Sequence, residues 1–388
     1  MTDIKDVVIY GSYGKGNLGD DLLMIAVLHI ITKHVPLSKI VVTSHPKQKY
    51  INSWFPNLKT FDLFQEKSIE VNLLVYGGGT QIFHFPPKRS KGEIGNLKRI
   101  YHWLKAKYTY NVTPGNFRGI KYRKSVAVSI GIGPFITGSK LKQKAISWLS
   151  DSDMLCLRDD VAYNFCQDNG MKNIYLYPDL IYNQTIWSND ALTHKRKTTE
   201  LQKICIVVRD WDYNTPGNSY MDPLIAASKK LISNGYQISF LSFAAMSDSV
   251  VIERLENNGL AVKQWNPLKY SITEYINNNM TNVDIIISAR AHGLIIGSSL
   301  KIPAFAINIE PKLQIINEQI NGNYPIWSAP FSSAVLISII LDLNANWISS
   351  RREMIKKSDE LAEQSLKTKE VLSDYILKNI QSEYLNGE

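Results

Sequence analysis

The stretch of the chain best suited to chemistry is Ile285-Ile-Ile-Ser-Ala-Arg-Ala-His-Gly-Leu294. Its apolar start predicts a buried strand, so Arg290 and His292 follow the carboxyl end of that strand two residues apart. A single histidine is usually a hydrogen-bonded core residue. A histidine beside an arginine at the mouth of a parallel sheet can instead donate a proton to a bound anion. The pattern therefore predicts an anion-binding site that contains a proton donor.

Two other predicted strands bring charged residues to the same edge. Arg209 follows the apolar run Ile206-Val-Val208, and Glu310 and Lys312 follow the apolar run 302–309. Ligands of open parallel sheets bind beyond the carboxyl ends of the strands. Lys312 is therefore predicted to contribute to the anion pocket of Arg290 and His292, and Arg209 can reach the same cleft if the two domains face one another.

A glycine-rich loop, Gly11-Ser-Tyr-Gly-Lys-Gly-Asn-Leu-Gly-Asp-Asp21, lies between the first predicted strand and the first predicted helix. Glycine lets the backbone approach a ligand closely, and the free N–H groups of a helix N-terminus bind anions. The loop is neither a Walker A motif nor GxGxxG, because its spacing differs and Gly-Lys-[Ser/Thr] is missing. We predict that it faces a ligand. The structural alternative is a glycine-rich turn in which Asp20 caps the helix.

Two further strand ends carry residues of interest. The triple glycine in Tyr76-Gly-Gly-Gly-Thr80 predicts close packing at Gly78 and Gly79, either by a ligand or, equally, by the first glycine-rich loop. Arg158 follows the apolar run Met154–Leu157. It could bind a carboxylate or phosphate, or form a structural ion pair or helix cap with its neighbour Asp159.

The elements that position these residues are short apolar runs alternating with helical patterns, which is typical of an α/β fold with parallel sheets. Strands are predicted at Val7–Gly11, Ile40–Ser44, Leu73–Tyr76, Ser125–Ile130, Met154–Leu157, Ile174–Tyr177, Ile204–Arg209, Gln237–Ser242, Ala261–Trp265, Val283–Ala289 and Pro303–Ile309. The clearest helices are predicted at Asp20–Val35 and Leu141–Leu149. The length of 388 residues favours two domains. We predict domains at 1–182 and 204–345, a linker at 183–203 and amphipathic helices at 346–388.

The positive charge of the chain is concentrated in one segment. Between Lys88 and Lys124, eleven Lys or Arg residues stand against the single acid Glu93, whereas the net charge of the whole chain is +9. Nucleic-acid binding is therefore not expected, because the rest of the chain is close to neutral. The basic, aromatic segment 85–124 could hold an anionic or lipid-linked glycan, contact an acidic membrane surface, or be a solvated loop.

Composition indicates a globular protein of the cytoplasm. Charged residues make up 20% of the chain, no apolar run reaches the length of a membrane span, and the start Met1–Tyr10 lacks the pattern of a secretory signal. Three cysteines, Cys156, Cys166 and Cys205, form no CxxC pair and are interpreted as small core residues. The histidines are scattered without metal-ligand spacing, so no metal is expected.

In its ordered set of motifs the chain resembles the polysaccharide pyruvyl transferase family. No single motif is decisive, but the order is specific and extends over roughly residues 5–320. From the amino terminus the motifs are the Gly-Asn-Leu-Gly-Asp-Asp element at 16–21, Gly77–Gly79, Gly131-Ile-Gly-Pro134, Arg158-Asp159, Tyr177-Pro-Asp179, Arg209, Arg290-Ala-His292 and Pro311-Lys312.

The resemblance implies a GT-B-like fold, in which two Rossmann-like domains face each other across a cleft. It also implies a reaction in which phosphoenolpyruvate gives its pyruvate skeleton to two hydroxyls of a sugar as a cyclic ketal and releases phosphate. On this basis His292 is predicted to be the general acid, and Arg209 and Arg290 to neutralise the carboxylate and phosphate of the donor. Lys312 and Arg158 are predicted to assist as further anion contacts.

The acceptor sugar is expected on the N-terminal domain. Asn17 and Asp20 are predicted to contact it, and Asp20 or Asp21 to be the base. The same acceptor loops contain Gly16, Gly19, Gly78 and Gly79. Phosphoenolpyruvate is expected as co-substrate with no other cofactor. The acceptor is expected to belong to a cell-surface glycan or its lipid-linked precursor. The protein is expected in the cytoplasm, where it could also be peripheral at the inner face of the membrane.

Two other functions remain open at this point. A GT-B glycosyltransferase would use a nucleotide sugar, with a carboxylate such as Glu310 holding the ribose, because a fold alone does not fix a function. A glycan-binding protein of the same fold would have no catalytic role for His292.

Overall fold

The computed structural model describes residues 5–44, 50–62, 68–82, 112–113, 115–135, 138–196, 198–211, 219–321 and 325–381. The chain divides into two compact units. Unit 1 comprises Met1–Lys15, Leu23–Asp179 and Lys367–Glu388, and unit 2 comprises Gly16–Leu22 and Leu180–Leu366. Two segments are therefore grouped differently from the predicted domains, because residues 16–22 belong to unit 2 and residues 367–388 belong to unit 1.

Unit 1 is built around a mainly parallel sheet. Its strands are β1 Lys5–Tyr10, β2 Ile40–Thr43, β3 Lys59–Phe61, β4 Ile69–Ile82, β5 Val112–Thr113, β6 Asn116–Phe117, β7 Ile120–Ile132, β8 Met154–Leu157 and β9 Ile174–Leu176. The parallel strands follow the order β3-β2-β1-β4-β7-β8-β9, and the antiparallel pair β5–β6 joins the start of β7. The order reverses direction at β1 and β4, which is the doubly wound arrangement of a Rossmann-like domain.

Helices alternate with the strands of unit 1. They are α1 Leu18–Ile31, whose first residues belong to unit 2, a 3-10 turn Leu37–Lys39, α2 Tyr50–Trp54, α3 Lys140–Ser150 and α4 Asp160–Asp168. Helix α1 begins and ends earlier than the predicted Asp20–Val35. The described end of the basic segment is part of this unit, where Arg118 donates to the hydroxyl of Tyr10 and Lys121 pairs with Glu70 at 3.3 Å. The rest of that segment, 85–111 and 114, lies outside the described residues.

Unit 2 contains the second parallel sheet. Its strands are β10 Lys203–Val208, β11 Gln237–Ser242, β12 Val262–Gln264, β13 Ile285–Ser288, β14 Ala304–Asn308 and β15 Trp327–Ser328. They are all parallel and follow the order β12-β11-β10-β13-β14-β15. This is the Rossmann strand order, with the reversal between β10 and β13. Both central strands are buried along almost their whole length, which explains their continuous apolar sequence.

Helices also cover the sheet of unit 2 and continue to the carboxyl end of the described chain. They are a 3-10 turn Leu180–Tyr182, α5 Gln184–Trp187, α6 Met221–Ser233, α7 Ser249–Glu256, α8 Ile272–Asn279, α9 Ala291–Ser299, α10 Pro311–Asn321, α11 Ser333–Ala345, α12 Trp347–Met354 and α13 Ser358–Ile376, followed by a π-helical turn Leu377–Gln381. Within the described ranges, no single helix has the length and apolar character to cross a membrane; one bent pair, Ser333–Ala345 with Trp347–Ile380, passes by length and composition only.

The predicted α/β class and the two Rossmann-like domains are confirmed by these two sheets. All eleven predicted strands exist, and Met154–Leu157 and Gln237–Ser242 have the predicted bounds. The three cysteines are buried free thiols, as the core interpretation requires, and burial raises the pKa of each to about 12.

Candidate active site

The predicted charged residues of unit 2 lie at the carboxyl ends of neighbouring strands. Arg209 directly follows β10, Arg290 follows β13 by one residue, and Glu310 follows β14 by one residue. Strands β10 and β13 are hydrogen-bonded neighbours at the point where the strand order reverses. The sheet topology therefore brings these side chains to the position where open α/β sheets bind their ligands.

One buried carboxylate holds two partly exposed cations. Arg209 and Lys312 both contact Oε1 of Glu310, and the Lys312 Nζ lies 2.9 Å away. The Glu310 side chain is 1% exposed, whereas those of Arg209 and Lys312 are 22% and 28% exposed. Burial opposes ionisation of Glu310, but Lys312 and Arg209 together outweigh burial and hold the pKa of the carboxyl below its usual range. The two cations thus share one negative charge and keep part of their surface open.

The backbone of Arg209 is fixed by a buried tyrosine. The hydroxyl of Tyr220 donates to the Arg209 carbonyl at 2.6 Å and accepts from the Arg209 N–H at 3.0 Å. Burial raises the pKa of Tyr220, so the hydroxyl stays neutral and can make both hydrogen bonds. The guanidinium of Arg209 also lies 4.6 Å from the centre of the Trp211 ring. The position of Arg209 is therefore determined at both its backbone and its side chain.

Arg290 is mostly buried and is paired with an acid that the sequence analysis missed. Its Nη2 donates to Oδ1 of Asp248 at 2.6 Å, and the Arg290 side chain is 11% exposed. The Nε of Arg290 is buried and meets no acceptor among the residues that the structure describes. Asp248 lies in the loop after β11, as a single acid with no motif around it, so its only sequence signal is that it follows a buried strand.

His292 lies in the first turn of α9 and packs against the first turn of α1. A Cβ atom at Gly19 would lie 2.1 Å from Nδ1 of His292 and 2.5 Å from its Cγ. Only glycine leaves room for the imidazole there. His292 as a whole is partly exposed, but the Nε2 atom of its ring is buried. The two motifs Gly-Asn-Leu-Gly-Asp-Asp and Arg-Ala-His, far apart in sequence, thus meet within unit 2.

The first turn of α1 has its own network. Oδ1 of Asn17, the residue before the helix, accepts from the N–H of Gly19 at 3.3 Å, and its Nδ2 donates to Asp20 at 2.7 Å. Asn17 and not Asp20 therefore has the capping position. The N–H of Leu18 bonds to the Phe243 carbonyl at 2.9 Å, which ties this turn to the loop after β11.

The two acids of this turn differ in exposure. Asp20 is partly exposed, whereas Asp21 is fully buried. Asp21 is consequently shielded from a substrate in this arrangement. The turn as a whole was expected on the N-terminal domain, but residues 16–22 belong to unit 2.

The site contains several donors for an anion. Three cations, Arg209, Arg290 and Lys312, lie here with the carboxylates of Glu310 and Asp248, and a third acid, Asp210, lies beside Asp248. Helices α9 and α10 begin beside these residues, and the N–H groups at a helix start attract negative charge. Among the described residues, no group of three or more His, Cys, Asp or Glu side chains could hold a metal ion.

Arg158 is placed in unit 1, in a buried ion cluster. Its Nη1 donates to Oδ2 of Asp179 at 3.1 Å, and its Nε lies 3.7 Å from Oδ2 of Asp159. Asp159 also caps α4 by accepting from the N–H of Ala162 at 2.8 Å. Burial raises the pKa of Asp159, and Arg158 opposes this rise. The geometry favours the structural ion pair over the predicted donor contact.

The triple glycine is packed by the protein's own side chains. The hydroxyl of Tyr13 donates to the Gly77 carbonyl, and a Cβ at Gly78 would lie 2.8 Å from Leu23. Gly78 and Gly79 both have a φ of 85°, a backbone conformation that residues other than glycine rarely adopt. Contact with Tyr13 of the glycine-rich loop accounts for Gly77, in agreement with the structural alternative, whereas Gly78 packs against Leu23 of α1.

Solved structures confirm the fold class. The chain is similar to a putative UDP-N-acetylglucosamine 2-epimerase from Listeria monocytogenes, with 10% identity, a TM-score of 0.55 and coverage of 91% of each chain. It is also similar to Anabaena Alr3699/HepE in complex with UDP-glucose, with 8% identity, a TM-score of 0.53 and coverage of 96% of this chain and 99% of the other. For UDP-GlcNAc 2-epimerase from Neisseria meningitidis the identity is 13%, the TM-score 0.52 and the coverage 97% and 100%. The fold is thus GT-B-like, with two Rossmann-like domains.

The family follows from the sequence itself. The sequence model of the polysaccharide pyruvyl transferase family matches residues 17–311. The matched range begins at the first turn of α1 and ends at the start of α10, so it includes the site of unit 2 almost completely. The chain belongs to the polysaccharide pyruvyl transferase family, and the resemblance seen in its motifs is confirmed. No curated protein sequence matches this chain.

Proposed function

We propose that this protein transfers the pyruvate group of phosphoenolpyruvate to two hydroxyls of a sugar as a ketal and releases phosphate. The observation that carries the proposal is the cluster at the reversal point of the second sheet. There, Arg209 and Lys312 share the buried carboxylate of Glu310 and remain partly exposed beside the strand that delivers Arg290 and His292. A small substrate with a carboxylate and a phosphate suits such a cluster, because each anionic group needs its own cation.

The donor would be bound by its two anionic groups. Arg209 and Lys312 offer the exposed cations, and Arg290 offers the part of its fork that Asp248 does not use. Arginine forks match carboxylate and phosphate geometry, and the helix starts of α9 and α10 add N–H donors. We leave Arg158 out of the donor site, because its guanidinium is held by Asp159 and Asp179.

The chemistry needs a proton, a base and a leaving group. His292 would protonate the methylene carbon of the donor, and one sugar hydroxyl would attack the neighbouring carbon while a base takes its proton. The C–O bond to phosphate then breaks with its electron pair going to phosphate, and the second hydroxyl attacks the same carbon. Of the two protons lost by the sugar, one replaces the proton given by His292 and one leaves with phosphate.

The first turn of α1 would serve the acceptor. Asp20 is the better base candidate than Asp21, because Asp21 is fully buried and Asp20 is partly exposed. Asn17 holds Asp20 through a 2.7 Å hydrogen bond and would contact the sugar. Gly16 and Gly19 would shape this acceptor loop. We propose a saccharide, lipid-linked or anionic, handled in the cytoplasm at the membrane face with help from segment 85–124.

A nucleotide-sugar glycosyltransferase is less well supported. That function needs a carboxylate free to hold a ribose, and Glu310 was its candidate. Glu310 is 1% exposed and is engaged by Arg209 and Lys312, so it is committed to the protein's own cations. A glycan-binding protein without catalysis would give no reason for the tight packing of His292 against Gly19.

Calorimetry and product analysis test the proposal together. The wild-type protein should bind phosphoenolpyruvate and not UDP, and cell-surface glycan should lose the mass of a pyruvate ketal when the gene is deleted. His292→Gln should lower kcat by about 10²–10⁴-fold, as for loss of a general acid. The control Arg196→Gln alters the arginine–aspartate pair with Asp284, which precedes β13 in unit 2, and should leave kcat and KM unchanged. Binding of UDP in preference to phosphoenolpyruvate would exclude the proposal.

A further inference from the structure

One buried carboxylate joins the carboxyl ends of three strands in unit 2. Asp248 is fully buried. Its Oδ1 accepts from Nη2 of Arg290 after β13 at 2.6 Å and from the N–H of Asp210 after β10 at 3.2 Å. Its Oδ2 accepts from the hydroxyl of Ser242, the last residue of β11, at 2.7 Å. Three donors from three strands therefore fix both oxygens of this carboxylate.

The arrangement fixes the direction of the Arg290 guanidinium. A buried ion pair is weak evidence of stabilisation, because desolvation cancels much of its attraction. The clearer effect of this ion pair is on the position of Arg290. Because Ser242 and Asp210 hold the carboxylate of Asp248 in place, the carboxylate restricts movement of the guanidinium. Arg290 is thereby held with Nη2 on Asp248, while its buried Nε has no acceptor among the described side chains and carbonyls.

We propose that Asp248 is a positioning residue, which acts through Arg290 to set the guanidinium for the carboxylate or phosphate of the donor. The inference rests on the proposed function, whose reaction supplies the assay. Asp248 does not touch the donor in this arrangement, because it is fully buried behind Arg290. Its effect on catalysis must therefore pass through the arginine.

A double-mutant cycle tests this dependence. Asp248→Asn keeps the size of the side chain and the bond to Ser242, whose hydroxyl can reverse its direction, but it removes the charge that holds Arg290. We expect kcat/KM for phosphoenolpyruvate to fall about 10–100-fold, which corresponds to the loss of a charge-assisted hydrogen bond. In an Arg290→Lys background, where the fork is already lost, Asp248→Asn should change kcat/KM less than about twofold.

The matched control is another buried acid of unit 2. Asp284 precedes β13, is 1% exposed on its side chain, and pairs with Arg196 at 2.8 Å. Asp284→Asn should lower the melting temperature and leave kcat/KM unchanged, because it lies at the opposite end of the strand that carries Arg290. If Asp248→Asn does not fold, Ser242→Ala replaces it. That variant removes the Oδ2 contact and the 3.3 Å hydrogen bond from the Ala244 N–H to the Ser242 hydroxyl, and it leaves the Oδ1 contacts in place. It should lower kcat/KM by about 3–10-fold with the same dependence on Arg290.

The outcomes separate the two proposals. A loss seen only when Arg290 is present supports the positioning role. An equal loss in both backgrounds, or no loss in either, overturns it while pyruvyl transfer by the wild type stands. A wild-type protein that does not transfer pyruvate from phosphoenolpyruvate overturns the proposed function and this inference with it.

Discussion

The contact between Gly19 and His292 predicts the result of adding a single methyl group. In Gly19→Ala, the new Cβ would lie 2.1 Å from Nδ1, 2.5 Å from Cγ and 2.9 Å from Cβ of His292. All three distances are shorter than the 3.5–4.0 Å at which carbon atoms pack. Either the imidazole or the first turn of α1 must move, so the substitution should affect stability and activity together.

The expected magnitude combines two opposing effects. Alanine in place of glycine within a helix normally stabilises a protein by about 0.5–1 kcal/mol. Overpacking a close contact typically costs about 1–3 kcal/mol. The net result should be a loss of up to about 2 kcal/mol, or a few degrees in Tm. A shift of the imidazole by about 1 Å should lower kcat about 10²-fold.

Thermal unfolding and phosphate release measure the two effects. The control is Gly19→Ala in a His292→Ala background, where only the 2.9 Å contact to Cβ remains. There the same substitution should lower Tm less than it does beside the imidazole, because only one of the three close contacts still opposes helix propensity. If Gly19→Ala leaves both Tm and kcat unchanged in the otherwise wild-type protein, the packing of this turn on His292 is refuted.

Three further predictions concern single contacts. Gly77→Ala should lower the free energy of unfolding, measured by denaturant titration, by about 1–3 kcal/mol, because the new Cβ would lie 2.1 Å from the Tyr13 hydroxyl oxygen. Adding Tyr13→Phe to this variant should recover part of that loss. Arg158→Met should lower the free energy of unfolding by about 3 kcal/mol, because it leaves Asp179 as a buried charge without its partner. The folded variant should keep its kcat/KM. A large rise in KM would instead assign Arg158 to the donor site. The pKa of Glu310 is lower in the folded protein than the ordinary glutamate pKa near 4, so its ion pairs stabilise the fold fully above that ordinary pKa. This stabilisation is lost as the pH falls through the lower pKa of the folded state. Glu310→Gln should therefore differ from wild type in unfolding free energy by a constant amount above about pH 5, and this difference should shrink in more acid solution.

Continuous apolar runs made most of the fold predictable from the sequence. Strands buried on both faces, such as β10 and β13, need only apolar residues, so their bounds were predicted within two residues. The edge strands β3 and β15 were missed, because Lys-Thr-Phe and Trp-Ser each contain a single apolar residue and so form no apolar run. Strand β4 is longer than predicted, since its pairing with β7 continues through the glycines that were taken as its end.

The positions of the candidate site residues were predictable for side chains that follow a strand, and not for those that depend on tertiary contacts. Arg209, Arg290 and Lys312 follow apolar strands, and the order of strands does bring them to one edge. The pairing of Arg290 with Asp248 and the contact of Gly19 with His292 join segments that are distant in sequence, and no spacing rule indicates them. For Arg158, both interpretations fit the sequence, and only the positions of Asp159 and Asp179 distinguish them.

The division of α1 has a practical consequence for anyone who wishes to cut this protein in two. Residues 16–22 belong to unit 2, yet they are encoded in the middle of unit 1, and residues 367–388 return to unit 1 after unit 2 is complete. A gene fragment that starts at Leu180 would therefore lack the turn that covers His292. A chimera that takes its second half from a relative would have to take residues 16–22 from that relative as well, if the packing of this turn on His292 is to be kept.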